Sequence, residues 1–122
     1  SGVFNLPEYD TSLLFVTLNK SDKDFSPSTQ YDDYVINKDY FHWQSKNTDS
    51  HHNRGGRIYT EQPQRHNKIV LFVREEKKDG FGNTCPFHCF GLVDYVSSHG
   101  DFPMNITWKL EKPVMPQYLK VV

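Results

Sequence analysis

The sequence predicts a mainly β fold, a small β-barrel or pseudobarrel with one or two short helices. Three observations carry that expectation. Short apolar, β-prone segments recur roughly 10–20 residues apart, each closed by a polar, glycine- or proline-containing turn. Some of them alternate with period two, as a strand with one buried face does. The core must also be aromatic, because 9 Phe, 7 Tyr and 2 Trp stand in a chain that is only 36% hydrophobic, with mean hydropathy −0.71. Aromatic side chains bury large areas and favour strands. A chain of 122 residues fits one core, so a two-domain enzyme is not expected.

Residues 1–10 read as a tag remnant and linker, since Ser1-Gly2 resembles a cleavage scar and Val3 to Asp10 show no period. Residues 11–122 read as a single β-rich accessory domain excised from a longer chain. Leu13 to Leu18 is a buried strand, closed by the polar run Asn19 to Asp24. Ser26-Pro27-Ser28-Thr29, followed by Asp32-Asp33, carries the marks of a helix start, so a short helix is expected near residues 28–35. Tyr40 to Ser45 is an aromatic strand, Lys46 to Gly56 an exposed loop, and Arg57 to Thr60 a short additional strand. The clearest strand is Lys68 to Glu75. It turns through the glycine-rich Lys77 to Asn83 and returns as Phe87 to Val96. Ser97 to Asp101 reads as a further turn, Met104 to Leu110 as a strand, and Pro113 and Pro116 end regular structure.

The net charge of −1 gives no hint of a polyanionic partner, but its distribution is uneven. Residues 1–50 hold 4 basic and 8 acidic side chains, whereas residues 51–122 hold 10 and 7. Between Arg54 and Lys78 there are 7 basic residues against 3 acidic ones, which makes a locally positive segment. No run approaches the roughly 18 apolar residues of a membrane span, and no leader pattern is present, so a soluble, cytoplasmic protein is expected.

Chemistry-bearing motifs are sparse. Cys85 and Cys89 flank His88, but four strand positions span about 13 Å, too far for one metal, and a fourth ligand is lacking. Two free thiols and no metal or cofactor are expected. Arg54-Gly55-Gly56-Arg57 lacks the residues that would make it a phosphate loop. The six histidines stand in no recognisable spacing with Ser or Asp, so no enzymatic activity is expected.

What remains is Phe41-His42-Trp43-Gln44-Ser45 beside the arginine-containing loop. Phe41, Trp43 and Ser45 share one strand face, and His42 and Gln44 the other. Trp43 is either core or, at a barrel mouth, a flat platform for a base, and Gln44 is able to pair with an adenine edge. Arg54, Arg57, Arg74, Lys77 and Lys78 are the candidate phosphate contacts, Arg74 also being placed to pair with a glutamate neighbour.

The ordered set Phe25 to Thr29, Tyr31, Asp33-Tyr34, Phe41 to Ser45, Leu71 to Glu75, Phe90-Gly91, Tyr95 to Ser97 and Pro103-Met104 covers nearly all of residues 11–120. It resembles the C-terminal domain of unknown function of bacterial superfamily-two helicases of the restriction and DEAD/DEAH type. That resemblance implies a non-catalytic accessory module following a nuclease domain and two motor lobes. It also implies a pseudobarrel like the PUA and SRA domains by analogy, and a role in restriction or phage defence. DNA, duplex favoured and with a modified base as one form, is the expected partner. The alternative is an interaction or autoinhibitory module docking on the helicase and nuclease lobes.

Overall fold

The computed structural model describes residues 2–19 and 32–119. They form one seven-stranded mixed sheet: β1 (Gly2–Leu6), β2 (Thr11–Thr17), β3 (Tyr34–Val35), β4 (Tyr40–Gln44), β5 (Lys68–Arg74), β6 (His88–His99) and β7 (Asn105–Leu110). Two short helices, α1 (Arg54–Thr60) and α2 (Gln62–Arg65), lie between β4 and β5. The spatial order is β1-β2-β5-β6-β7-β4-β3, with β2 and β5 parallel and the other neighbours antiparallel.

The mainly β reading therefore holds, and the barrel is corrected. β1 and β3 lie at opposite edges of the sheet and do not pair, so it stays open. Strand number and turn spacing are the same for an open sheet and a closed one, and closure needs a pairing between the outer strands that no local pattern specifies. Gly2–Leu6, read as linker, is the edge strand, held by antiparallel pairing with β2 from Gly2↔Phe15 to Leu6↔Thr11. Arg57 to Thr60, read as a strand, is helix, and Ser97 to His99, read as a turn, continues β6. The helix expected near residues 28–35 falls on residues 28–31 outside the described set, and its end, Tyr34–Val35, is strand β3. There Asp33 Oδ1 accepts a hydrogen bond from the Gln44 backbone at 2.9 Å.

Alternation places the core. Leu14 and Val16 of β2, Ile69, Leu71 and Val73 of β5, and Ile106, Trp108 and Leu110 of β7 are buried at every second position. In β4, Phe41 and Trp43 share that face, and Ser45, just past the strand, is buried as well. Tyr59 brings α1 onto it, edge-on to Trp43 and to Trp108 with ring centroids 5.1 and 6.1 Å apart. The opposite face carries a smaller cluster in which Phe15 stacks on Phe72 at 5.0 Å and Phe87 closes edge-on. β6 is bulged twice. One bulge lies at Phe90, beside Gly91, whose φ of +88° suits glycine. The other lies between Tyr95 and Ser97.

Candidate functional site

The candidate site forms at the sheet end where β4 finishes, from the 45–53 loop, α1 and the turn between β6 and β7. The loop is folded rather than simply exposed. Ser45 Oγ accepts from the Met104 backbone at 2.9 Å, Asp49 O accepts from Phe102 N at 3.0 Å, and Asp49 and Ser50 are buried. Asn53 caps α1 by accepting from Gly56 N at 3.0 Å. Gly55-Gly56 looks like a loop because glycine is a poor helix former. The helix forms there because Asn53 caps it and Tyr59 anchors it in the core. Burial pushes the Asp49 carboxyl above its ordinary range against the pull of Lys46, and burial, then Asp49, raises the Tyr59 phenol.

Arg54 and Arg57 are exposed and stand three positions apart on α1, so they lie on neighbouring parts of one helix surface. A groove of about 590 Å³ runs from α1 to β1 and the start of β2, with Lys46, Arg54 and Arg65 supplying cations and Asp10 one carboxylate to its walls. Arg65 is already paired with Glu61 at 2.6 Å. Arg54, Arg57 and Lys46 make no ion pair among the described residues.

The other sequence candidates divide. Trp43 is fully buried between Tyr59 and Trp108, which corrects the reading of its ring as a platform for a base. Gln44 is half-buried and both ends of its amide are occupied: Oε1 accepts from Asp32 N at 2.7 Å and Nε2 donates to Asn105 Oδ1 at 3.0 Å. His42, on the same strand face, stacks on Tyr34 and meets the Asp32 carbonyl at 2.8 Å. Gln44 therefore ties the residue 32–33 segment to β4 and β7 instead of offering a base-reading edge. Gln44→Ala is expected to lower stability by about 0.5–1.5 kcal/mol, because two hydrogen bonds are lost but the exposed Asp32 N–H and half-buried Asn105 can turn to water. Urea titration of the variant beside the wild type measures this, and DNA discrimination, where present, should not change.

Arg74, Lys77 and Lys78 lie at the opposite sheet end. β4 is antiparallel to β7, β7 to β6 and β6 to β5, so β4 and β5 finish at opposite ends, about 20 Å apart along the seven residues of β5. Arg74 is structural there: Nε donates to Thr17 Oγ1 at 3.0 Å, a terminal nitrogen donates to Cys85 O at 3.1 Å, and the guanidinium lies 4.2 Å over Phe87. Its expected glutamate pairing is replaced by these contacts. Lys77 and Lys78 are exposed on a hairpin whose turn is held by Asp79, Oδ1 accepting from Phe81 N and Asn83 N. Those bonds hold the Asp79 carboxyl below the usual carboxylate range. Cys85 is half-buried in the loop ahead of β6 and Cys89 is exposed within it, both as free thiols, so they do not share one strand. His88 bonds to the Tyr118 hydroxyl. Among the described residues no three His, Cys, Asp or Glu side chains are placed to hold a metal ion.

The sequence reading missed a polar chain beside α1. His51 Nδ1 lies 2.8 Å from Asp101 Oδ1, its Nε2 lies 2.6 Å from Ser98 Oγ, and Tyr95 Oη lies 2.6 Å from the same Oγ. One histidine thus lies in space beside a Ser and an Asp far from it in the sequence. Forty-seven residues separate His51 from Ser98, so no spacing motif could have shown it.

Taken together, the open mixed sheet with α1 laid on its aromatic face defines a mainly β domain carrying a basic helix at one end. The family model described as a domain of unknown function (DUF3427) matches residues 2–121, and the chain belongs to that family. No curated protein matches the chain. Among the described residues no helix is long and apolar enough to cross a membrane.

Proposed function

We propose that this domain is a DNA-binding accessory module of a bacterial superfamily-two helicase acting in restriction, defence or repair, and that α1 faces the nucleic acid. The observation that carries the reading is the exposed pair Arg54 and Arg57, free of carboxylate partners among the described residues and joined by Lys46 at the rim of the groove. Guanidinium groups in that state are suited to phosphate oxygens, which position a protein on a duplex. Base recognition is then assigned to the groove and the loops around it, including discrimination of a modified base, and not to Trp43. Lys77 and Lys78 supply a second, separate contact at most, being at the other end of the sheet.

The test is binding of the domain to duplex, single-stranded and base-modified oligonucleotides across a salt series. Taking one cation away from a phosphate should lower the slope of log K against log salt by about 0.9, so Arg54→Ala/Arg57→Ala should reduce it by about 2 for a duplex. An unchanged affinity and slope in the double variant would remove α1 from the interface. Absence of DNA binding together with capture of the helicase or nuclease lobes would favour the docking class instead.

A further inference from the structure

We propose that Ser98 is a histidine-activated nucleophile, and that Ser98, His51, Asp101 and Tyr95 form an acyl-transfer site for small esters. This goes beyond the DNA-binding reading and does not depend on it. The proton positions follow from one another. An ionised Asp101 only accepts, so His51 Nδ1 carries the proton directed at it, 2.8 Å away. In the neutral imidazole Nε2 is then bare and accepts the Ser98 hydroxyl proton across 2.6 Å. Ser98 has one proton, already committed to His51, so Tyr95 donates its own to Ser98 Oγ across 2.6 Å. Nucleophile, base and orienting carboxylate thus stand in the order that acyl transfer requires, with a hydroxyl donor beside the nucleophile.

The fold builds this constellation. Tyr95 and Ser98 are an odd number of positions apart, which in a regular strand would place them on opposite faces. The bulge between Tyr95 and Ser97 inserts the extra residue that brings them together. Asp101 is held twice by His51, chiefly through the backbone N–H at 2.7 Å and then through the ring, and these bonds keep its carboxyl below the usual carboxylate range. Phe102, next to Asp101, holds φ at +56° and is 62% exposed, and strained residues of this kind gather at functional sites. The side chains of His51 and Asp101 are 30% and 34% exposed and Ser98 is half-buried beside them, which puts the constellation at the surface.

In the reaction Ser98 Oγ bonds to the ester carbonyl carbon while its proton passes to His51 Nε2, and the carbonyl electron pair moves onto oxygen. Tyr95 donates to that oxygen. The pair returns as the bond to the leaving alcohol breaks, and the alcohol takes the proton from His51. Water, deprotonated by His51, then attacks the acyl-serine, and Ser98 leaves with that proton.

A fluorophosphonate probe, in which Ser98 Oγ displaces fluoride from phosphorus, tests the first step, and p-nitrophenyl acetate tests turnover. The expected result is a single label on the peptide containing Ser98 in the native chain, absent from the urea-unfolded chain. This comparison needs no variant. His51→Gln should slow labelling by about 100-fold or more, and Tyr95→Phe should slow ester turnover by about 100-fold, with thermal melts showing each folded. No label, a label elsewhere, equal labelling of native and unfolded chain, or wild-type labelling of a folded His51→Gln would overturn the proposal and leave the DNA-binding reading untouched.

Discussion

Trp43→Ala is expected to lose about 3–5 kcal/mol of folding free energy, the range for removing a large aromatic from a core. Trp43 is wholly buried and packs on Tyr59 and Trp108, so its removal opens a cavity where α1 meets the sheet. Its indole nitrogen makes no hydrogen bond among the described residues, so the loss is one of packing. A domain of this size is stable by only about 5–15 kcal/mol, and the variant therefore loses a large fraction of the total. Chemical denaturation with the fluorescence of Trp108 as probe measures the shift. A loss under about 1 kcal/mol would mean that the α1–sheet packing is not as described. Because α1 sits on this ring, a test of the proposed DNA binding with this variant has to be read at a temperature where it is folded.

Gly56→Ala should be comparably severe, about 3 kcal/mol or more, although alanine is the better helix former by about 1 kcal/mol. A Cβ at position 56 would stand 1.9 Å from the Ser50 carbonyl oxygen and 2.6 Å from Met104 Sδ. Methionine can turn aside. The carbonyl belongs to backbone buried under α1 and cannot, so the substitution forces the helix off the loop, and overpacking of this kind typically costs about 1–3 kcal/mol even where side chains yield. Gly80→Ala is the matched control, since nothing lies within 4 Å of its added Cβ. Equal unfolding midpoints for the two variants would show that the close approach of α1 to Ser50 is absent in solution.

How far the sequence spoke depended on how local the signal was. β5 was legible because Ile69, Leu71 and Val73 alternate with less buried neighbours between charged ends, and β7 because Ile106, Trp108 and Leu110 do the same. Helix α1 was not, because two glycines sit in its first turn for a tertiary reason, their closeness to Asp49 and Ser50. Of the candidate site, Arg54 and Arg57 were legible as exposed charge. Trp43 and Gln44 could not be assigned, since a strand's alternation defines two faces without saying what covers each.

Short-range chemistry in the sequence by itself determined the mainly β class, most strand positions, the aromatic core and the basic stretch, because side-chain period, turn residues and charge act over a few neighbours. Only the tertiary structure decided the rest. The parallel pairing of β2 with β5 joins residues more than 50 positions apart, and the pairing of β4 with β7 more than 60. Those pairings leave the sheet open, put Arg54 and Lys78 at opposite ends, and bring His51 to Ser98. Each depends on which distant surfaces bury one another, and that free energy is settled by the whole chain at once.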